Sequence, residues 1–267
     1  MTVASSAQRA SGNGYLDKLA RIGWVTYGVI HLLVGVAATR LAFGGGGRAD
    51  ESGAMTTLAD SGFGKVVLWA GAVGFAALSV WWLIEAIGGS RGPSGAHQLG
   101  DTVKNVGKAI LFAVFAFLSV RFALGSGGGG GSQESATATV LEWPGGRFIV
   151  SAAGLGIVAV GIYHVYKGIS RSFLDDLRSD ADTGTSGTAI TALGTFGYAA
   201  KGVAITVVGV LFVVAAVQHD PDEAGGLDAA LKTLQEQPFG PWLLMIVAIG
   251  LAAFGIYCFA RARYQRR

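Results

Sequence analysis

The stretch "QPFGPWLLMIVAIG", Gln237–Gly250, presses a Pro-Phe-Gly-Pro turn against an unbroken apolar run. Proline is tolerated in the first turn of a helix, where its missing N–H would have no partner anyway. The stretch therefore reads as a chain turning into a long apolar helix. Its surroundings, "ALKTLQEQPFGPWLLMIVAIGLAAFGIYC", lie without gaps on "AMTTLADSGFGKVVLWAGAVGFAALSVWW" and on "ATATVLEWPGGRFIVSAAGLGIVAVGIYH". Gly64, Gly146 and Gly240 coincide, as do Gly74, Gly156 and Gly250, the acids Asp60, Glu142 and Glu236, and the aromatics Trp81, Tyr163 and Tyr257. The preceding segments match as well. "GWVTYGVIHLLVGV" superposes Gly23, Gly28 and Gly35 on Gly197, Gly202 and Gly209 of "GYAAKGVAITVVGV", while "VGKAILFAVFAFLSVRFALG" is a divergent middle copy. The chain is three tandem copies of one two-helix unit.

Only 14% of the residues are charged against 51% hydrophobic. Soluble domains carry about a quarter charged residues. Six segments approach the roughly 20 apolar residues that cross a bilayer, near 21–43, 65–87, 106–124, 147–169, 197–217 and 241–260. They are continuously apolar and do not alternate, so they are helices and not barrel strands. The expected fold is all-α, with six transmembrane helices as three tandem hairpins. Each unit crosses twice, so all copies enter in the same sense, and a pseudo-threefold axis along the membrane normal follows.

The domain organisation reads as a tail (1–17), repeat 1 (18–89), repeat 2 (98–177), a linker (178–191), repeat 3 (192–262) and a basic tail (263–267). Arg9, Lys18, Arg21, Arg91, Lys104, Lys167, Arg171, Arg178 and the arginines of the C-terminal tail share one side of this topology. By the positive-inside rule that side, with both termini, is cytoplasmic. The first span is expected to serve as an uncleaved signal-anchor. Basic residues in short clusters between spans are orientation signals and no nucleic-acid face. Leu227, Ala230, Leu231 and Leu234 have helical spacing, so a short amphipathic helix is expected ahead of the sixth span, with weaker equivalents near Met55 and Val140. "RSFLDDLRSDADTG" is expected to continue the fourth span as a charged helix followed by a disordered link.

The odd-helix motifs, the "GFG" and "PFG" turns and the middle repeat's "WPGGRF…GIYHVYKGISRSFL" resemble the domain of unknown function 1206 family over nearly all of residues 18–262. The resemblance implies a six-span bacterial membrane protein and carries over no catalytic residue. Mitochondrial carriers share the three-hairpin plan, but no Pro-x-acid-x-x-base element begins an odd helix here.

Ionisable groups within spans are costly and face the bundle interior by default. His31 falls mid-span, either as a neutral histidine hydrogen-bonded to a neighbouring helix or as a group that handles a proton or ligand, and Thr206 is read as its counterpart in the third copy. Glu85 aligns with Lys167 and Arg261, and the three either stand as unpaired rim charges in headgroup contact or pair across the axis. His31, Glu85 and Thr206 form the candidate intramembrane polar site. Lys108 and Lys201 are read as snorkelling to the near surface. Gly28, Gly35, Gly74, Gly156, Gly209 and Gly250 are the candidate helix-packing positions, since small residues let helices approach where lipid supplies no hydrophobic drive.

No cofactor or metal is expected: Cys258 is the single cysteine, and His31 and His164 differ too much in depth to share a haem. No Walker, Gly-x-Ser-x-Gly or His-Glu-x-x-His pattern occurs, so the chain is expected not to be an enzyme. The glycine tracts after the first and third spans read as linkers. The expected role is a non-enzymatic scaffold or accessory protein, with the bilayer, another membrane protein or a second copy as partner. The alternative is a small transporter or channel with a central site near His31.

Overall fold

A computed structural model describes residues 14–88, 96–126, 132–178, 181, 183–220, 224 and 226–265. Nine α-helices are described: α1 (Gly14–Ala42), α2 (Glu51–Ala59), α3 (Gly62–Gly88), α4 (Ala96–Ala123), α5 (Ser132–Leu141), α6 (Gly146–Ile169), α7 (Gly184–Gln218), α8 (Leu227–Glu236) and α9 (Gly240–Tyr264). A short 3-10 helix, Ser172–Asp176, follows α6. Six of these are long and apolar enough to cross a membrane: Tyr15–Ala42, Gly62–Ile87, Gly100–Ala123, Gly146–Ile169, Gly184–Gln218 and Gly240–Tyr264. The chain is a multi-pass membrane protein of three tandem hairpins. Below, the end of the bundle holding Gly14 and Gln265 is called proximal and the other distal.

The short helices α2, α5 and α8 precede the even spans of the three repeats at the distal end, as the aligned segments require. The glycine that begins each even span explains the shared turn. A methyl group on Gly64, Gly146 or Gly240 would collide with a carbonyl oxygen of the short helix just before it, on Leu58, Val140 or Gln235 respectively. Only glycine lets the chain fold back that closely. In the third copy Phe239 takes a left-handed conformation and Pro241 stands in the first turn of α9. Helix α8 buries Ala230 and Leu231, and it is tied to repeat 1 by Gln235 Nε2 donating to Leu41 O at 2.7 Å and Ala49 N donating to Asp228 Oδ1 at 2.8 Å.

The threefold plan appears in the pairing of the spans. The closest pairs are α3 with α4, α6 with α7 and α9 with α1, each joining the even helix of one repeat to the odd helix of the next. Within repeats 1 and 3 the two spans also pack, α1 on α3 and α7 on α9. Within repeat 2 they do not: among the described residues α4 and α6 have no extended packing against each other. The bundle is therefore a ring with one loose seam.

Two expectations are corrected. The segment after α6 is no solvated charged helix; it tucks under the bundle. Phe173 is fully buried, stacked on Tyr198 with ring centroids 5.4 Å apart, and its ring fills the space that a side chain on Gly194 would need. Leu177 then bridges to Gln265, and Arg178 N donates to Tyr264 O at 2.8 Å. The expected linker 178–191 is helical from Gly184, because α7 continues past the apolar run to pack Ile190 and Gly194 around this plug. Arg9, Arg91, Arg266 and Arg267 lie outside the described residues.

Candidate functional site

Two polar layers cross the interior. The inner one is built by α1 and α7. Tyr27 and His31 are one helical turn apart and so share a face of α1, which buries Tyr27, Ile30, His31 and Val34. Lys201 enters from α7 and is 9% exposed. Its Nζ donates to Tyr27 Oη at 2.5 Å and lies 3.2 Å from His31 Nε2. His31 Nδ1 lies 2.9 Å from Tyr27 O, so Nδ1 carries the proton and Nε2 offers its lone pair to the ammonium. The faces of Phe254 and Tyr27 surround the same ammonium, with centroids at 4.2 and 4.6 Å. Lys201 does not snorkel to the surface: its polar partners lie inside, on α1.

The proximal layer centres on Arg261 of α9. Its guanidinium donates to Tyr198 Oη at 2.8 Å, pairs with Asp176 at 3.1 Å and lies over the Trp24 ring at 4.1 Å. Lys167 of α6 reaches the same Asp176 oxygen at 2.7 Å. Burial alone would raise the Asp176 carboxyl, but Arg261 and then Lys167 hold it down at about 2. On the distal side Glu51, at the start of α2, lies within electrostatic reach of Tyr27 and Lys201. Burial raises its carboxyl, against its own backbone hydrogen bond and the Lys201 charge.

The candidate residues fare differently. Lys167 and Arg261 do meet at a shared carboxylate, but it is Asp176 and not Glu85, which is exposed on α3 and has no part in the cluster. The 3-10 helix places Asp176 between two spans that α3 does not reach. Thr206 is not with His31. Its hydroxyl donates to Gly202 O at 2.8 Å in the α6–α7 contact, and the alignment of Gly28 on Gly202 itself sets Ile205 against His31. His164 Nδ1 lies 2.8 Å from Val160 O. Among the described residues no group of three or more His, Cys, Asp or Glu could hold a metal ion.

Five candidate glycines sit at close approaches. A methyl group would stand 2.7 Å from Gly255 O at Gly28, 2.9 Å from Ala248 O at Gly35 and 2.6 Å from Val158 N at Gly209. At Gly74 it would strike Gly23 and at Gly250 Ala200, both contacts within one repeat. Gly156, their equivalent in repeat 2, has nothing within 4 Å. That departs from the expected packing role, and the reason is the loose seam beside it.

Sequence reasoning did not single out Tyr27, Glu51, Phe173, Asp176 or Tyr198 as site residues. A usable signal for Tyr27 was present: it aligns with Lys201, an aromatic hydroxyl opposite a cation at one depth. The others depend on how connections fold back.

The family profile described as Domain of Unknown Function (DUF1206) matches the chain three times, at residues 22–89, 103–171 and 196–265. The chain therefore belongs to that family. It is also similar to the uncharacterized protein YxxB of Bacillus subtilis (strain 168), at 28% identity over 252 residues, covering 94% of this chain and 92% of that protein. No solved structure matches.

Proposed function

We propose that this member of the DUF1206 family is a non-enzymatic protein of the bacterial plasma membrane, with both termini cytoplasmic, that handles a proton or a small charged solute at Lys201, Tyr27 and His31. One observation carries the reading. A lysine is buried within a span and hydrogen-bonded to a tyrosine and a neutral histidine from another repeat. Burying an ionisable group at membrane depth is costly, and such groups mark solute or proton pathways more often than they mark packing. Lys201 Nζ to His31 Nε2 is a direct donor–acceptor path, and Glu51 and Asp176 extend ionisable groups toward the two ends. The cations of the proximal end, among them Arg21, Lys104, Lys167, Arg171 and Arg261, support placing that end in the cytoplasm.

Native mass spectrometry of the protein released gently from its own membrane tests the reading, with His31→Ala and Lys201→Met beside wild type. A retained small molecule lost in both variants, or proton flux into vesicles that both abolish, is the expected result. Unchanged retention and flux in both variants would sink it. A scaffold role is the second reading, favoured by Ala152 and Gly156, small residues one turn apart and exposed on α6. A protein partner lost on Gly156→Leu, with the small-molecule signal untouched, would select it.

A further inference from the structure

The loose seam between α4 and α6 has the chemistry of an amphiphile site. Its walls are the least buried spans of the ring, with 28% of the apolar stretch of α4 and 17% of that of α6 buried inside the bundle. They expose Val106, Ile110 and Val114 on one helix and Leu155, Ile162 and Tyr163 on the other. Some exposed apolar surface is what any span shows to lipid. This seam differs in what caps it. At the proximal end Lys104 Nζ lies 5.6 Å over the Tyr163 ring, linking the two helices, and among the described residues its ion-pair partner is Asp101 at 3.6 Å, with both side chains about half exposed. One turn further in, Lys108 is half-buried with its Nζ 3.8 Å over the Trp82 ring. Among the described residues Lys108 has no ion pair. Lys104, Lys167 and Arg261 all act on it as like charges, and Asp176 as the one opposing charge.

Four cations, Lys104, Lys108, Lys167 and Arg261, thus gather at this end, where Arg261 and Lys167 already occupy Asp176, Asp175 acts on Lys167 and Asp101 faces Lys104, so that Lys108 is left without an ion pair among the described residues. A second observation agrees. The same end holds three buried N–H donors with no acceptor: Trp24 Nε1, Trp82 Nε1 and Arg261 Nε. Each stands beside a cation of the cluster, since Lys108 covers Trp82 and Arg261 covers Trp24. Buried donors are nearly always paired, and leaving one unpaired costs about 1–3 kcal/mol. Surplus positive charge with spare N–H donors calls for an oxyanion. The adjoining groove between two exposed apolar helices calls for hydrocarbon.

We propose that an anionic glycerophospholipid binds in the α4–α6 seam, with its phosphate at Lys104, Lys108 and the donors beside them and an acyl chain along the face of Gly156. Gly156 has nothing within 4 Å, whereas its equivalents Gly74 and Gly250 are pressed against a neighbouring helix. The missing intra-repeat contact of repeat 2 is the opening that admits the chain. This inference stands on the seam and does not depend on a role for His31.

The test is lipid titration of the intact protein in a neutral detergent, read by native mass spectrometry and by melting temperature. The probes are phosphatidylglycerol, phosphatidylcholine and sn-glycerol 3-phosphate. One phosphatidylglycerol should be retained in preference to phosphatidylcholine and should raise the melting temperature. Each lysine beside an anionic headgroup is worth roughly fivefold in affinity, so Lys104→Gln with Lys108→Gln should weaken binding about 30-fold. Gly156→Leu should weaken it while leaving the lipid-free melting temperature in place. Arg121→Gln, at the distal end, should change neither. Equal retention of phosphatidylcholine, binding indifferent to the lysine pair and to Gly156→Leu, or a full shift from glycerol phosphate alone would each overturn the proposal. So would a second copy of the chain filling the seam in place of lipid. Loss of the lipid signal with the His31-dependent signal intact would show the two sites to be separate.

Discussion

At the scale of single residues, Asp176 holds the proximal layer together. Its carboxylate neutralises Arg261, which is 4% exposed, and Lys167, which is 8% exposed, and neither reaches solvent easily. Removing one partner of a buried pair leaves the other charge uncompensated. Asp176→Asn should therefore destabilise the protein by about 3 kcal/mol, at the low end for such changes because the aspartate is itself partly exposed. The pH response has a definite sign. The folded carboxyl titrates at about 2, below the roughly 3.9 of an unfolded chain. Its contribution is full above about pH 4 and is lost as pH falls toward 2. Wild type should lose melting temperature over that window and Asp176→Asn should lose less. Equal losses in the two proteins would remove Asp176 from this role. Nothing at position 176 announced this in the sequence, where "LDDLR" reads as an ordinary charged surface.

At the scale of elements, helix pairing rests on small residues, and the glycines divide into two kinds. Gly35 faces the Ala248 carbonyl and Ala252 across the α1–α9 contact, and a leucine there must force the helices apart. Gly156 meets open space. Gly35→Leu should thus cost several kilocalories, within the range of severe overpacking at about 3 kcal/mol. Gly156→Leu without added lipid should fall within about 0.5 kcal/mol of wild type. Melting temperatures in a single detergent decide it, and equal destabilisation would mean that the α4–α6 seam is packed after all. The sequence alignment set these glycines as equivalents. It could not distinguish them, because a repeat encodes the same small residue whether or not a neighbour arrives to use it.

At the scale of the whole molecule, the ring closes between repeats more tightly than within them. The α9–α1 pairing joins the two ends of the chain, and α6–α7 joins repeats 2 and 3 across the 3-10 plug. A cut in the connection between Arg178 and Gly184 should therefore leave the assembly intact. Coexpressed fragments 1–182 and 183–267 should copurify in detergent, and the first fragment alone should be degraded, since α1 and α6 would each lose their principal partner. Stable accumulation of the first fragment alone would show repeats 1 and 2 to be self-sufficient, contrary to this arrangement. The long range of these contacts, with Lys201 on Tyr27 and Asp228 on Ala49, is why local pattern alone did not reveal the polar layers.

The sequence by itself determined the spans, their number, their common sense of entry and the threefold repeat. Those depend on apolar length and on glycine spacing, which are local and additive along the chain. It also placed His31 mid-span, with Lys167 and Arg261 at matching positions near the same end of their spans. Only the tertiary structure decided which charges meet. The 3-10 segment folded back to bring Asp176, not Glu85, to the two cations, and the Lys201 side chain of α7 reached Tyr27 and His31 of α1. It also decided where the symmetry fails. Whether α4 closes on α6 depends on the shape of both helices and of every helix behind them, and no single repeat carries that information.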